Sequence, residues 1–324
     1  MEHPSEAEIQ ILHALNRYGY LTNDILHRML RISPSLRWTQ QLTHQLSQRR
    51  TNKAEFITTL KFPPSSRTGK LPYVYCLAPA GKRFLERDSP EESEPSLVAR
   101  YPSFGVRDYE HRLLTIKAHI ALSQLLEQRY PFLEIRHWDR YFVKTGRNRH
   151  RNGGKPLWAE TRLELPGENR FCIPDAICEL IDTRQSPPPS MLFAWEIACG
   201  ADTKRNLYQL SRHLECLTTK VLAAKYRRHQ AHTILLLCQE RPLCSAIRRR
   251  FVECSPKASR LSSRVLLACA EDFFVDPETC WQAPIIRNQD AHFSFLTGKV
   301  TPFPTQVRGA SSAEKNPPLN SQEG

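Results

Sequence analysis

Residues 171–182 read FCIPDAICELID, and residues 191–199 read MLFAWEIAC. Both are strand-like runs of branched, aromatic and small apolar side chains, the first interrupted by a Pro-Asp pair and the second by Glu196. An ionised carboxylate in such a run must be solvated, paired or put to use, because burying it alone is costly. Side chains alternate faces along a strand, so Asp175 falls with Ile173 and Ile177, and Glu196 with Ala194 and Ala198. The Pro-rich turn TRQSPPPS (183–190) separates the runs, so the spacing predicts a hairpin that sets Asp175 beside Glu196. Two carboxylates converging on a sheet suit Mg²⁺, a hard cation that takes oxygen ligands and can activate water at a phosphodiester.

The pattern around this hairpin alternates. A helix is expected over 107–129, with Leu114, Ala118, Ala121, Leu122 and Leu125 as its apolar positions, and then a strand, FLEIRHW (132–138). A basic stretch, VKTGRNRHRNGGK (143–155), and the strand-like LWAETRLEL (157–165) lead into the hairpin. Beyond it come a helix over about 202–220 with inner stripe Leu207, Leu210, Leu214 and Leu217, a strand HTILLLC (232–238), a helix carrying SAIRRRF (245–251) and a strand RVLLACAED (264–272). Helices interleaved with strands in this order call for an α/β domain with a mixed sheet and at least one parallel crossover, here bounded as 105–299.

The first segment, 1–88, has a different rhythm: helix, helix, helix, hairpin. Ser5 caps a first helix with Ile9, Leu12 and Leu15 on one stripe and Gly19 just past its end. Thr22 caps a short second helix, and Ser33-Pro34-Ser35 turns into a third, LRWTQQLTHQLSQRR (36–50), whose Leu36, Leu42 and Leu46 are expected to face inward. Two strand-like runs, AEFITTLKF (54–62) and LPYVYCLAP (71–79), are joined by PPSSRTG and followed by a closing helix. Helix, turn, recognition helix and two-stranded wing is the order of a winged helix-turn-helix. Its outward side chains, Arg37, Gln40, Gln41, His44, Gln45, Gln48, Arg49 and Arg50, with Lys53, Arg67 and Lys70 on the wing, are types that hold phosphates or read base edges. No Asp or Glu occurs in 25–54, and residues 1–87 carry 13 basic against 6 acidic side chains.

The whole chain of 324 residues carries a formal charge of +13, which points to a polyanionic partner, double-stranded DNA first. An acidic, Pro- and Ser-rich stretch, 89–104, reads as a linker, and 300–324 as a disordered tail. No apolar stretch is long enough for a membrane span and the N-terminus is too polar for a signal peptide, so no membrane partner and a cytoplasmic protein are expected. Ten cysteines without any C-x-x-C read as free core thiols rather than a zinc site.

Taken together, the front segment, CIPDAI, FAWEIACGADT, the Leu-rich helix, TILLLCQERPLCSAIRRRF and the helix start EHRLLTIKAHIAL resemble the replication-relaxation family of plasmid and mobile-element proteins. That family joins a winged helix to a PD-(D/E)xK restriction-endonuclease-like domain. The resemblance implies a DNA-associated role in replication, relaxation or transfer, with replication or relaxosome proteins and a second copy of the chain as further partners. Carried over by position, Asp175 matches the aspartate of the PD motif and Glu196 the acidic residue of the later motif, with Glu110 and Glu160 as supporting metal carboxylates. Where active members have a lysine two residues on, this chain has Ala198; Lys204 is the candidate for a migrated cation. The missing lysine weighs against cleavage, so the leading expectation is a non-catalytic DNA-binding accessory or regulatory protein. A Mg²⁺-dependent nuclease using Asp175 and Glu196, and a protein–protein adaptor, are the alternatives.

Overall fold

The structure is a computed structural model that describes residues 3–48, 50–51, 54–64, 69–88, 105–145, 158–226, 229–284, 291–293, 296 and 300–302. Its organising element is α4 (Tyr109–Arg129), preceded in the chain by α1 (Glu6–Tyr18), α2 (Leu36–Gln48) and α3 (Pro79–Asp88). The expected stripe of Leu114, Ala118, Ala121, Leu122 and Leu125 packs on the large sheet. What the sequence did not suggest is that Tyr109, Leu113, Ile116 and Ile120 bury the opposite side of the same helix against the N-terminal segment. The helix is therefore buried on two sides, as a helix between two cores must be, with Arg112, Thr115, His119 and Ser123 among its buried residues.

The N-terminal segment is built locally. Glu8 accepts hydrogen bonds from both the backbone N–H and the hydroxyl of Ser5, closing a capping box at the start of α1. The helix ends at Gly19, whose φ of +85° an L side chain rarely adopts. Strands β1 (Tyr20–Leu21), β2 (Ile57–Leu60) and β3 (Val74–Leu77) form an antiparallel sheet in the order β1-β3-β2. Ile11, Leu12 and Leu15 meet Leu42, Leu46, Ile57, Val74 and Phe84 in its core.

This unit is fastened to α4 and the large sheet by more than apolar contact. The buried Arg140 guanidinium donates to the carbonyl oxygens of Arg17 and Tyr18 at the C-terminus of α1, where a cation meets the negative end of the helix dipole. Gln124 donates to Met29 O at 2.5 Å, and the Tyr109 hydroxyl donates to Pro72 O at 3.1 Å. His119, on α4, stacks on Trp138 at 4.3 Å; burial and the charges of Arg140 and Arg17 hold its pKa well below the ordinary range, so it packs as a neutral ring.

The larger sheet has five strands: β4 (Leu133–Arg140), β5 (Ala176–Asp182), β6 (Ser190–Ala198), β7 (Thr233–Cys238) and β8 (Val265–Cys269). They lie in the order β8-β7-β6-β5-β4, antiparallel from β4 to β6 and parallel from β6 to β8. α5 (Thr203–Thr219) and α6 (Arg241–Arg249) are the two crossover helices and share one face of the sheet, while α4 and α7 (Ala270–Val275) cover the other. The chain is thus mixed α/β with a mixed sheet, as its alternating pattern implied. All ten cysteines are free thiols and seven are buried. Among the described residues no helix is long and apolar enough to cross a membrane.

Three expectations need correction, and a fourth is refined. Leu36 does not face inward: it is exposed, because six residues separate it from Leu42, and the inner stripe runs Thr39, Leu42, Thr43, Leu46. The second helix of the front segment is short and capped by Thr22 as expected, its hydroxyl accepting from Ile25 N–H, and only its π-helical form over Ile25–Met29 is new. LWAETRLEL is not one strand but two two-residue pieces, Trp158–Ala159 and Leu163–Glu164, broken by a turn. Val300–Pro302, assigned to the tail, pair antiparallel with Ala291–Phe293. The linker, most of the basic stretch 143–155 and the remainder of the tail lie outside the described residues.

Replacing Arg140 by Leu leaves two helix-end carbonyls without their buried donor. We expect a loss of about 2–4 kcal/mol in urea denaturation; wild-type stability in that variant would show that the guanidinium does not fasten the two parts.

Candidate functional site

The β5–β6 register pairs Ala176 with Trp195, which sets Asp175 one step further on, opposite Glu196. The ladder continues through Asp175: its N–H donates to Trp195 O at 2.9 Å and its C=O accepts from Tyr141 N–H at 3.1 Å. The proline before it has no N–H to contribute, consistent with the end of β5 at Ala176. Glu196 meets α5 through His213 and Asp175 meets the start of α4 through His111, and both carboxylates are buried, Asp175 at 6% and Glu196 at 7% exposure. The hairpin therefore delivers the juxtaposition that the spacing predicts.

What stabilises these carboxylates was not foreseen. Asp175 Oδ2 accepts from Ile197 N–H at 2.7 Å and pairs with His111 Nε2 at 3.1 Å, and His111 Nδ1 meets the Tyr141 hydroxyl at 2.9 Å. Glu196 Oε2 pairs with His213 Nε2 at 2.8 Å, the imidazole being 1% exposed. The result is a chain, Tyr141–His111–Asp175 beside Glu196–His213, with one histidine from the first turn of α4 and the other from the inner face of α5.

The electrostatics follow from burial and proximity. Burial opposes a charged His111, but the charge and hydrogen bond of Asp175, helped by Glu196, outweigh it and raise its pKa to about 9. Burial, and then the charge of Asp175, push Glu196 up, while its bond to Glu196 raises His213 against its own burial. The Glu196–His213 pair thus holds a proton more tightly than its members do in water. Burial and then Asp175 also push the Tyr141 phenol well above its ordinary range, so it stays protonated. At neutral pH the His111 imidazolium stands against Asp175 and the Glu196–His213 pair keeps a proton of its own, which offsets much of the cost of bringing the two carboxyl groups together.

The remaining candidates separate. Glu110 is exposed at the start of α4 and lies in this neighbourhood: burial first, then the charges of Asp175 and Glu110, raise the Cys199 thiol to about 12. Glu160 belongs elsewhere; its carboxyl is raised by burial and by Asp139, and its electrostatic neighbours are Lys225, Arg140 and His137. Lys204 is exposed in the first turn of α5, and Ala198 is fully buried under Leu207 and Leu210, so that position is used for packing. The donor set does not fit Mg²⁺ as placed: one oxygen of each carboxylate is committed to a histidine, and imidazole is not the oxygen ligand this cation takes. Among the described residues no group of three or more His, Cys, Asp or Glu side chains is arranged to hold a metal ion.

The second candidate surface is α2. Thr39 and Thr43 are buried with Leu42 and Leu46, and the Thr43 hydroxyl donates to Asn23 Oδ1 at 3.0 Å, which fixes the helix against the π-helical turn region. Arg37, Gln40, Gln41, His44, Gln45 and Gln48 are all exposed, and Trp38 at the same end is 46% exposed. Near the strands, Lys61 and Lys70 stand 5.7 and 5.9 Å from the ring of the half-exposed Tyr73. Arg50 pairs with Glu55 through its backbone; its side chain, and Arg49, Lys53 and Arg67, lie outside the described residues.

Sequence reasoning missed His111, His213 and Tyr141. The available signal was His213 itself, which shares the inner face of α5 with Leu210 and Leu217, a buried polar position that demands a partner. No protein-family model, no curated protein and no solved structure matches this chain.

Because His111 titrates near 9 when folded and at 6.5 otherwise, the folded state binds the extra proton between those values. Its contribution is complete below about pH 6.5 and is lost as pH rises through about 9. Urea denaturation across that range should therefore lose on the order of 2–3 kcal/mol in the wild type. His111→Asn should remove most of that slope, and a variant with the wild-type slope would overturn the assignment.

Proposed function

We propose that this chain is a duplex-DNA-binding protein whose α2 enters the major groove, its front segment acting as a winged helix-turn-helix. The observation that carries the reading is the exposed face of α2: Arg37, Gln40, Gln41, His44, Gln45 and Gln48, with no carboxylate on the helix to repel phosphate. Arginine and glutamine can present paired donors to base edges or grip phosphate, and the lysines beside Tyr73 add backbone contacts of the kind a wing makes. The net charge of +13 supports the same partner.

In this reading the five-stranded region is a PD-(D/E)xK-like fold kept for binding rather than cutting. The histidine pairing of Asp175 and Glu196 supports that, since general metal-assisted hydrolysis needs open oxygen ligands and a bound water. The setting, an accessory or regulatory role in plasmid or mobile-element replication, relaxation or transfer, rests on the resemblance of the motifs quoted above.

Two measurements test this. Arg37→Ala with Gln41→Ala should weaken duplex binding by roughly 10–100-fold and lower the salt dependence by about one phosphate; unchanged affinity favours a protein–protein adaptor. Supercoiled plasmid incubated with Mg²⁺ or Mn²⁺ should stay intact, whereas nicking that disappears in Asp175→Asn would establish a nuclease instead.

A further inference from the structure

Three of the large apolar side chains left exposed are linked through arginines on the sheet domain: Trp158 at 42%, Phe171 at 40% and Tyr208 at 56%. Each ring carries an arginine. The Arg162 guanidinium lies 3.8 Å from the Trp158 ring centroid and 3.9 Å from that of Phe171, sandwiched so closely that the Arg162 side chain is only 13% exposed. Arg212 stands 5.0 Å from the Tyr208 ring and donates to its hydroxyl at 2.6 Å. Between these groups Arg170 and Arg212 both donate to Glu215, at 2.7 and 3.4 Å, which ties the strand carrying Phe171 to α5. Lys204, Tyr208 and Arg212 follow one another at four-residue spacing and so lie on one face of that helix.

We propose that this surface binds single-stranded nucleic acid by stacking unpaired bases on Trp158, Phe171 and Tyr208. Stacking on aromatic rings combined with nearby cations is the sequence-tolerant mode by which proteins hold single strands. The rings here are pre-set by their arginines, so little side-chain freedom is lost on binding. Arg162 has its Nε and one Nη engaged with Glu164, so it orients the rings, whereas Arg170 and Arg212 share the single carboxylate of Glu215, which leaves that trio with a net positive charge, and the exposed Lys204 adds a cation on the same helix face. Paired bases in a duplex keep their faces stacked inside the helix, so the exposed rings select single strands. The proposal is independent of the reading of α2.

The test uses the full chain and fluorescence anisotropy with dye-labelled oligo(dT) and oligo(rU) of about 16 nucleotides, and with a duplex of equal length. Trp158→Ala with Phe171→Ala should lose about tenfold or more affinity for the single strands. Duplex binding should be unchanged in that variant, and Arg37→Ala with Gln41→Ala should show the converse. Tyr208→Ala should weaken single-strand binding and Tyr208→Phe should retain it, a comparison that survives even if the double variant folds poorly. The relative affinities for oligo(dT) and oligo(rU) identify which strand the surface takes. A wild-type chain that binds neither oligomer, or ring variants that lower thermal stability while affinity stays the same, would overturn the proposal and assign the stack to packing.

Discussion

A helix buried on both sides cannot be satisfied by one domain, and α4 is such a helix. Its Leu114, Ala118 and Leu122 belong to the core under the five-stranded sheet, and its Leu113, Ile116 and Ile120 to the core of the N-terminal segment. Burying each large aliphatic side chain contributes about 1.5–3 kcal/mol, so separating the two parts would expose an apolar stripe that neither could cover alone. Arg140, reaching from β4 to the last carbonyls of α1, adds a directional bond to that apolar join. The site depends on the same helix, since His111 sits in its first turn and reaches Asp175 from there.

The carboxylate pair is best understood through the cost of burial. Asp175 and Glu196 face each other on adjacent strands with little solvent to screen them, so each charge must be compensated locally. In a metal enzyme a divalent cation supplies that compensation. Here His111 and His213 supply it from two different helices, and a backbone N–H from Ile197 supplies the rest. The same geometry that pairs each acid with a histidine also occupies the oxygens that a cation would take. His111 is thereby tied to the fold as well as to the site.

Among the described residues, the two surfaces proposed above as binding sites differ in chemistry. The face of α2 offers amides, a histidine and an arginine suited to edges and phosphates, whereas the Trp158–Arg162–Phe171 stack and Tyr208 offer ring faces.

The hairpin around Asp175 was readable in the sequence because alternation, a Pro-rich turn and a fixed count of residues determine strand, turn and register by local rules. Asp175 opposite Glu196, the crossover helices α5 and α6, the N-cap at Ser5 and the exposed residues of α2 all follow from such spacing. Leu36 was misplaced for a reason within the same rules, since its phase against Leu42 is off the stripe. The partners of the carboxylates were not readable: His111 lies 64 residues from Asp175 and His213 lies 17 from Glu196, and only packing brings them together. The same holds for the second face of α4 and for the pairing of Arg162 with two rings. Periodicity reports which residues share a face, but which faces meet is decided by how the whole chain closes its apolar surface, and that is where the charge balance of this site was set.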